Sequence, residues 1–164
     1  MTAIKTSEDM RNELKRMAKR LRTTLTAIGN TVGTNSTVAD YAFRSGTRRD
    51  VTAAKLFEFV AAAGHELVAT PVNGGGDLGV TVLRSDDDLK RLIGQLPLMT
   101  GKALSQLTKD AGISLALVHW VHGTAQKAGE PQKTVRLAPV LKLFGQAGIE
   151  LSLRKQGGPK SPRR

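Results

Sequence analysis

Few residues in this sequence could carry out catalysis or hold a metal ion, whereas many could bind a polyanion. The chain has 164 residues, with 25 Lys and Arg against 14 Asp and Glu, three His and no Cys. The absence of Cys excludes disulfides, thiolate zinc sites, iron–sulfur clusters and thiol catalysis. The net charge of +11 favours a nucleic acid as partner, because each Lys or Arg near a phosphate releases counterions.

Three further clusters could bind a ligand, but each has a simpler structural interpretation. The run Asp86–Asp88 could hold a metal ion, but consecutive helical residues cannot all face one ion, and acidic residues favour a helix N-terminus. His119 and His122 could bind a metal, but no third ligand accompanies them. The run Gly74–Gly76 is interpreted as a hairpin turn, because no phosphate-binding Gly-Lys-Ser/Thr follows it. We therefore predict no catalytic residue, no metal and no cofactor, and a protein that is not an enzyme.

The positive charge is concentrated in the two flanks of the sequence. Residues 1–25 contain seven basic and three acidic side chains, and residues 101–164 contain eleven and three. Residues 65–100 contain three basic and five acidic side chains. Two cationic blocks around a slightly anionic centre indicate contact with a polyanion at both ends. A basic protein that is kept soluble by its charge is the alternative.

Hydrophobic spacing and capping residues predict short helices and three strands. Thr6 with Asp9 forms a capping box for a first helix with an outward basic face, whose apolar stripe is Met10, Leu14, Met17, Leu21 and Leu25. Further helices are predicted at 25–32, 35–44, 50–64, 85–96, 102–111, 114–122 and 134–147, with Asn35, Asp50 and Ser114 as caps. The runs 66–72 and 80–84 predict a hairpin, and 149–153 predicts a third strand.

The pattern of the first half of the chain begins again at residue 85. Residues 63–67 (AGHEL) align with 147–151 (AGIEL) at a separation of 84, and residues 32–35 (VGTN) align with 111–114 (AGIS) at a separation of 79. The separation grows because the second copy has a longer loop before its fourth helix. Two copies of about 80 residues are too few and too long for a solenoid, so they indicate a tandem duplication of one small domain. Chance similarity is the alternative.

The stretches 25–46 and 103–123 resemble the helix-turn-helix of the lambda repressor and Cro family, also called Xre-like. The pattern is a helix with a small residue in mid-course, a glycine at the turn, a polar cap, and apolar residues four and seven positions beyond the cap. It is carried by Gly29, Gly33, Asn35, Ala39 and Ala42, and by Thr108, Gly112, Ser114, Val118 and Val121. Thr108 is a slight departure. The resemblance implies a mainly α fold, with two tandem helix-turn-helix bundles of four to five helices joined by a small β-hairpin or sheet.

This resemblance implies that the second helix of each motif enters the major groove of DNA. The implied base contacts are exposed side chains of Ser36, Thr37, Asp40 and Tyr41 in the first copy, and of Leu115, Ala116, His119 and Trp120 in the second. The expected phosphate contacts are Lys19, Arg22, Arg44, Arg48, Arg49, Lys102, Lys109 and Lys127. The apolar set of the second copy leaves two interpretations open: contact with thymine methyl groups, or burial against the other half or a second subunit.

The domain prediction follows from the two copies. It comprises an N-terminal helix-turn-helix domain with a trailing strand (1–72), a Gly-rich turn with the second hairpin strand (73–84), a C-terminal helix-turn-helix-like domain with a trailing strand (85–153), and a basic disordered tail (154–164). A strand after the last helix is similar to antitoxin-type members of the family, in which such strands pair across a dimer. Here both strands lie in one chain, so we expect them to pair about a pseudo-twofold axis and to suit an asymmetric DNA site.

These observations predict a sequence-specific regulator of transcription that binds double-stranded DNA. A phage immunity repressor or an antitoxin-type autoregulator fits best, in the cytoplasm, at the bacterial nucleoid or in a phage-infected cell. The alternative is a protein-interaction module, an antitoxin scaffold whose second helix-turn-helix docks a toxin or a second copy of the chain. No apolar run approaches the roughly 18 residues that span a bilayer, so no membrane partner is expected.

Overall fold

A computed structural model of the chain describes residues 3–32, 37–43, 50–72, 79–123 and 135–156. These residues form eight helices and one small antiparallel sheet, which confirms the predicted mainly helical fold class. In chain order the elements are α1 (Ser7–Arg20), α2 (Leu25–Val32), α3 (Thr37–Phe43), α4 (Ala53–Ala62), β1 (His65–Pro71), β2 (Thr81–Leu83), α5 (Asp86–Thr100), α6 (Leu104–Ala111), α7 (Ala116–His122), α8 (Leu137–Ala147) and β3 (Ile149–Lys155). Buried apolar side chains from both halves form one continuous core.

Helices α1 and α5 begin with matching caps. The Thr6 hydroxyl accepts a hydrogen bond from the Asp9 N–H at 3.1 Å, and the Asp9 carboxylate accepts one from the Thr6 N–H at 3.2 Å. The predicted capping box is therefore confirmed. At α5, the Ser85 hydroxyl accepts a hydrogen bond from the Asp88 N–H at 3.3 Å. The run Asp86–Asp88 forms the first turn of α5, where the helix dipole favours negative charge.

Strand β1 lies in the centre of the sheet, between β2 and β3. It forms the predicted hairpin with β2, and it pairs with β3 in a register that sets Val68 opposite Ser152. These two residues are 84 positions apart, the separation found between Gly64 and Gly148. On either side of this pair the contacts are also equivalent: Leu67 faces Leu153, and the residues that correspond to them, Leu151 and Ala69, face each other. The pairing therefore has local twofold symmetry, and the predicted pairing of the trailing strands is confirmed.

The edges of the sheet repeat this symmetry. Leu83 of β2 faces Leu67 of β1, and Ile4 forms an isolated bridge with Leu151 of β3. Ile4 and Leu83 are 79 positions apart and Leu67 and Leu151 are 84 apart, so both separations seen in the sequence recur in the contacts. All four side chains are buried in the core. In the sheet, equivalent segments of the two halves therefore make equivalent contacts.

Charged pairs lie at equivalent places on the sheet, but only one of the two carboxylates is buried. Lys5 Nζ lies 3.3 Å from Glu150 Oε2, with the two side chains 65% and 32% exposed. The equivalent pair joins Arg84 to Glu66 at 3.0 Å, and Arg154 Nε adds a second hydrogen bond to Glu66 at 2.8 Å. Burial alone would raise the pKa of Glu66, but the hydrogen bonds and charges of Arg154 and Arg84 hold it below its usual value.

A second twofold contact joins the starts of α4 and α8. Thr52 bridges Arg136, again 84 positions away. The Ala53 N–H donates to the Val135 carbonyl and the Leu137 N–H donates to the Val51 carbonyl, each at 2.9 Å. Adding 84 to the residue numbers of one half gives the equivalent residues of the other, so each of these two hydrogen bonds is the twofold equivalent of the other. The halves are thus held together by backbone hydrogen bonds at two separate places.

The predicted role of Asp50 as the cap of its own helix is wrong. Thr52 caps α4, because its hydroxyl accepts a hydrogen bond from the Lys55 N–H at 3.3 Å. Asp50 Oδ2 instead accepts a hydrogen bond from the Ala138 N–H at 3.0 Å, in the first turn of α8. The bridge at Thr52 brings Asp50 to this free N–H, which sequence spacing cannot reveal.

Several predicted helix ends shift by a few residues. Helix α1 ends at Arg20 rather than continuing to Leu25, which opens α2, and Leu21 is 40% exposed instead of buried in the stripe. Helices α6, α7 and α8 begin at Leu104, Ala116 and Leu137, two or three residues after the predicted starts at 102, 114 and 134. The predicted cap Asn35 lies outside the described residues. Within the described ranges, no helix combines the length and apolar character needed to cross a membrane.

Candidate nucleic-acid interface

Two helix pairs contain the sequence pattern from which DNA contact was predicted. Gly29 in α2 and Thr108 in α6 are both buried, as expected for the small mid-course residue of that pattern. The Thr108 hydroxyl donates to the Ser105 carbonyl at 2.8 Å, so its extra polar group is satisfied within the helix. Gly112 ends α6 in left-handed backbone with φ 73°, and the Ser114 hydroxyl accepts a hydrogen bond from the Ala116 N–H at 3.0 Å.

The same packing relations recur in the two halves. Helix α1 packs on α3, α2 packs on both α3 and α4, and α4 packs on β1. In the second half, α5 packs on α7, α6 packs on both α7 and α8, and α8 packs on β3. Each short helix, α3 or α7, is therefore held between the first and second helices of its own half. Its remaining side faces away from those two helices.

The prediction that Tyr41 contacts DNA bases from an exposed position is wrong. Tyr41 is 1% exposed and lies under α1, where its hydroxyl donates to the Ser7 carbonyl at 3.3 Å. The Arg11 guanidinium lies 4.6 Å from the centre of the Tyr41 ring, and Arg11 Nε donates to the Tyr41 carbonyl at 2.8 Å. Burial raises the pKa of Tyr41, although the Ser7 side chain and the charge of Arg11 act in the opposite direction.

Trp120 is the equivalent residue of the second half, and the same correction applies. It is 1% exposed, and Lys90 Nζ lies 4.9 Å from its ring centre. The two aromatic residues are 79 positions apart, as are Arg11 and Lys90. Each half therefore places one cation over one aromatic ring between its first and third helices. Each buried ring packs its short helix against the first helix of its half. Other residues of the same short helices remain exposed to solvent.

The other predicted base contacts are divided between exposed, partly exposed and undescribed positions. Leu115 is 53% exposed, whereas Ala116, Asp40 and His119 are partly exposed. Thr37 begins α3, but its side chain and all of Ser36 lie outside the described residues.

Two exposed residues on these helices were not among the predicted base contacts. Phe43 is 60% exposed and lies three positions after Asp40, and His122 is exposed and lies three positions after His119. Residues three apart on a helix share a face, so this spacing is the signal that could have found them. The candidate reading face of each half therefore includes Asp40 and Phe43 on α3, and Leu115, His119 and His122 on α7.

Cations border the first of these faces. Lys19, Arg20 and Arg22 are exposed at the end of α1 and make no ion pair with any described residue. Lys15 lies on the same helix, with its Nζ 5.9 Å from the centre of the Phe43 ring. Lys15 of α1 thus adjoins the end of α3. This arrangement can bind a polyanion beside a helix that fits a groove.

Among the predicted phosphate contacts of the second half, Lys109 is exposed without an ion pair to any described residue. Lys102 lies with its Nζ 3.7 Å from Asp110 Oδ2, and both side chains reach solvent. Four more predicted contacts lie outside the described residues, namely Arg44, Arg48, Arg49 and Lys127. Two further described cations lie beside α7, namely Lys90 over the Trp120 ring and the exposed Arg136 in the cleft between α7 and α8.

Two shallow clefts border α7. One of about 230 Å³ lies between α7 and the start of α8, with Trp120 and Arg136 in its wall. The other, of about 360 Å³, is lined by Ser105, Gln106, Thr108, Lys109, Ile113 and Leu115. Across the part of the chain that is described, no three His, Cys, Asp or Glu side chains cluster closely enough to hold a metal ion.

Comparison with protein-family models, curated proteins and solved structures finds no match to this chain.

Proposed function

We propose that the chain is a sequence-specific regulator of transcription that binds double-stranded DNA and represses by occupying promoter DNA. Each half would contribute one helix-turn-helix unit, α2 with α3 in the first half and α6 with α7 in the second. The equivalent packing of these pairs, the contact of Lys15 with α3 and the exposed cations at the end of α1 support the proposal. Such a regulator would act in the bacterial cytoplasm, on the nucleoid or on the DNA of an infecting phage.

The observation that carries the proposal is the backbone conformation of Arg22. Its φ of 56° lies in the left-handed region, which costs a residue with a side chain about 1 kcal/mol. Gly101, 79 positions later, adopts the same conformation with φ 73°, where glycine has no such cost. The first half therefore keeps a cation where glycine would be more stable. Binding of a polyanion would offset this local cost.

The neighbouring cations are also unfavourable for the helix itself. Lys15 and Lys19 are four positions apart on α1, as are Arg16 and Arg20, so like charges adjoin on the helix surface. Each such pair costs about 0.2–0.5 kcal/mol in the absence of a counterion. Arg16 is partly relieved by its ion pair with Glu13. The attraction of each cation to a phosphate backbone beside this surface would offset the repulsion between the cations.

The twofold contacts between the halves suit a DNA ligand. Dimeric helix-turn-helix proteins relate their two reading helices by a twofold axis and contact half-sites about one helical turn apart. Here the register of β1 with β3 and the bridge between Thr52 and Arg136 provide local twofold symmetry within one chain. We propose that α3 and α7 stand in the corresponding relation, so that one chain contacts two adjacent stretches of major groove.

The test is selection of bound sites from random duplexes, followed by titration of the selected duplex at several salt concentrations. For Arg22→Gly we expect the slope of log K against log salt to fall by about 0.9, the value of one lost phosphate contact. Its melting temperature should be equal to or above that of the parent chain, because the left-handed strain is removed. Lys142→Gln, which removes an equal charge from the exposed surface of α8, is the matched control and should keep the parent slope.

Failure to enrich any duplex at low salt would refute the proposed function. Equal slopes for Arg22→Gly and the parent chain would refute the role assigned to the end of α1. A loss of affinity that came with a lower melting temperature would show that Arg22 serves the fold instead of the ligand.

A further inference from the structure

Helices α1 and α5 share a row of buried apolar residues and differ in their exposed residues. Met10, Leu14 and Met17 are buried in α1, and the residues 79 positions later, Leu89, Ile93 and Leu96, are buried in α5. The two helices therefore present corresponding surfaces to solvent. On α1 and its C-terminal turn that surface is cationic, with Lys15, Lys19, Arg20 and Arg22. The corresponding residues at α5 are Gly94, Leu98, Met99 and Gly101.

We propose that the chain holds its DNA site asymmetrically, with the phosphate backbone held at the first half-site by the cationic end of α1 and left without the corresponding cations at the second. This inference rests on the proposed function. It adds that the two half-sites differ in their backbone contacts, which gives a physical cause for the asymmetric site expected from the sequence.

The strongest evidence for the asymmetry is Leu98. It corresponds to Lys19, and its side chain is 89% exposed. An apolar side chain gains nothing from solvent and releases no counterions beside a phosphate. The same replacement of a cation by an uncharged residue recurs at the exposed Gly94 and Gly101, and at Met99, which packs partly against the core.

Among the described residues around α6 and α7, the exposed cations that are particular to the second half are Lys102, Lys109 and Arg136. Lys102 and Lys109 correspond to Thr23 and Asn30 in the first half. Lys102 is partly neutralised by Asp110 at 3.7 Å, which leaves Lys109 as the remaining candidate on α6 for a phosphate contact. Among the described residues, Lys109 and Arg136 therefore compare with four cations at α1 and its C-terminal turn.

The reading faces differ in the same direction. Asp40 and Phe43 on α3 correspond to His119 and His122 on α7, so no pair of equivalent positions presents the same chemistry to a base edge. The exposed Leu115 at the start of α7 suits the methyl group of thymine. We therefore expect the second half-site to be distinguished by apolar contacts and the first by backbone contacts.

The experiment restores the missing cation. Leu98→Lys places a charge where α1 has Lys19, at a position so exposed that the fold should tolerate it. Val80→Lys adds an equal charge at a residue that is 58% exposed beside β2, and serves as the matched control. Lys19→Leu makes the reciprocal change. All three are titrated with the duplex selected by the intact chain, and phosphate contacts are mapped by ethylation interference.

With Leu98→Lys we expect a salt slope steeper by about 0.9 and a new phosphate contact in the second half-site only. With Lys19→Leu the slope should fall by the same amount, so that a fourfold rise in salt separates these two variants by roughly tenfold in affinity. Val80→Lys should keep the parent slope. The parent chain should show α1 contacts in one half-site.

If Leu98→Lys behaves as Val80→Lys does, the surface of α5 does not lie against DNA and the inference is overturned in favour of a face open to a protein partner. Equal numbers of phosphate contacts in both half-sites of the parent chain would also overturn it. Neither result affects the proposed function, which fails only if the parent chain selects no duplex.

Discussion

Replacement of Glu66 by Gln tests whether the buried charge at the centre of the sheet stabilises the fold. Glu66 is 3% exposed, and it accepts hydrogen bonds from Arg84 at 3.0 Å and from Arg154 at 2.8 Å. Hydrogen bonds to charged groups contribute about 1.5–3 kcal/mol and neutral ones about 0.5–1.5 kcal/mol, so the two bonds together predict a loss of about 2 kcal/mol. Because the Arg84 side chain is 65% exposed, its share is discounted, which leaves about 1.5 kcal/mol.

This loss corresponds to a fall of about 3–6 °C in melting temperature at pH 7 for a chain of this size. Folding lowers the pKa of Glu66, so its contribution is fully present above the unfolded value of about 4.3 and is lost as the pH falls through the folded value. The difference between Glu66→Gln and the parent chain should therefore shrink below about pH 4. Thermal unfolding followed by circular dichroism between pH 3 and pH 7 measures both effects.

The matched control is Glu150→Gln, which removes the twofold-equivalent carboxylate. Glu150 and its partner Lys5 are 32% and 65% exposed, so this change should cost about 0–0.5 kcal/mol at any pH. Equal stability of Glu66→Gln and the parent chain at pH 7 would refute the reasoning. So would a difference that stayed constant down to pH 3, because it would then not depend on the charge of Glu66.

The remaining predictions concern the motif regions. Trp120→Ala should cost about 3–5 kcal/mol in urea unfolding, whereas Leu115→Ala should stay within about 0.5 kcal/mol, and the reverse order would contradict their burial. Tyr41 is the only tyrosine, so ultraviolet titration should give one pKa above the usual value of about 10, because burial disfavours the phenolate; a normal pKa would contradict the packing. The stability associated with its raised pKa is present below about pH 10 and is lost as the pH rises through the folded value. Gly112→Ala should lose about 1 kcal/mol because φ is 73°, and no loss would argue against a left-handed turn.

Local signals in the sequence predicted much of this fold. The capping box at Thr6 and the acidic first turn of α5 depend on residues within four positions of each other, so they could be identified directly. The pairing of β1 with β3 is a long-range contact, but the repeat made it predictable: two copies of a strand in one chain can satisfy each other about a twofold axis. Internal similarity thus supplied information that spacing alone lacks.

The positions of Tyr41 and Trp120 could not be predicted in the same way. On a helix of seven residues, the apolar pattern marks the side that packs on the preceding helix, whereas burial of the opposite edge depends on where the first helix crosses. That crossing is fixed by contacts such as the Tyr41 hydroxyl to Ser7, 34 positions away. The role of Asp50 could not be predicted for the same reason. It accepts a hydrogen bond from the first turn of α8 because Thr52 bridges Arg136, 84 positions away.

A single chain with two equivalent halves can vary them independently, which a symmetric dimer cannot do. Met10, Leu14 and Met17 of α1 are matched by buried apolar residues of α5 because these positions fill equivalent places in the core. At the exposed positions no packing constraint applies, and Lys19 stands where the second half has Leu98. A homodimer would impose one set of surface residues on both half-sites and so favour a palindrome. The differences between the halves are therefore expected where the ligand is contacted, and the agreement between them where the fold is maintained.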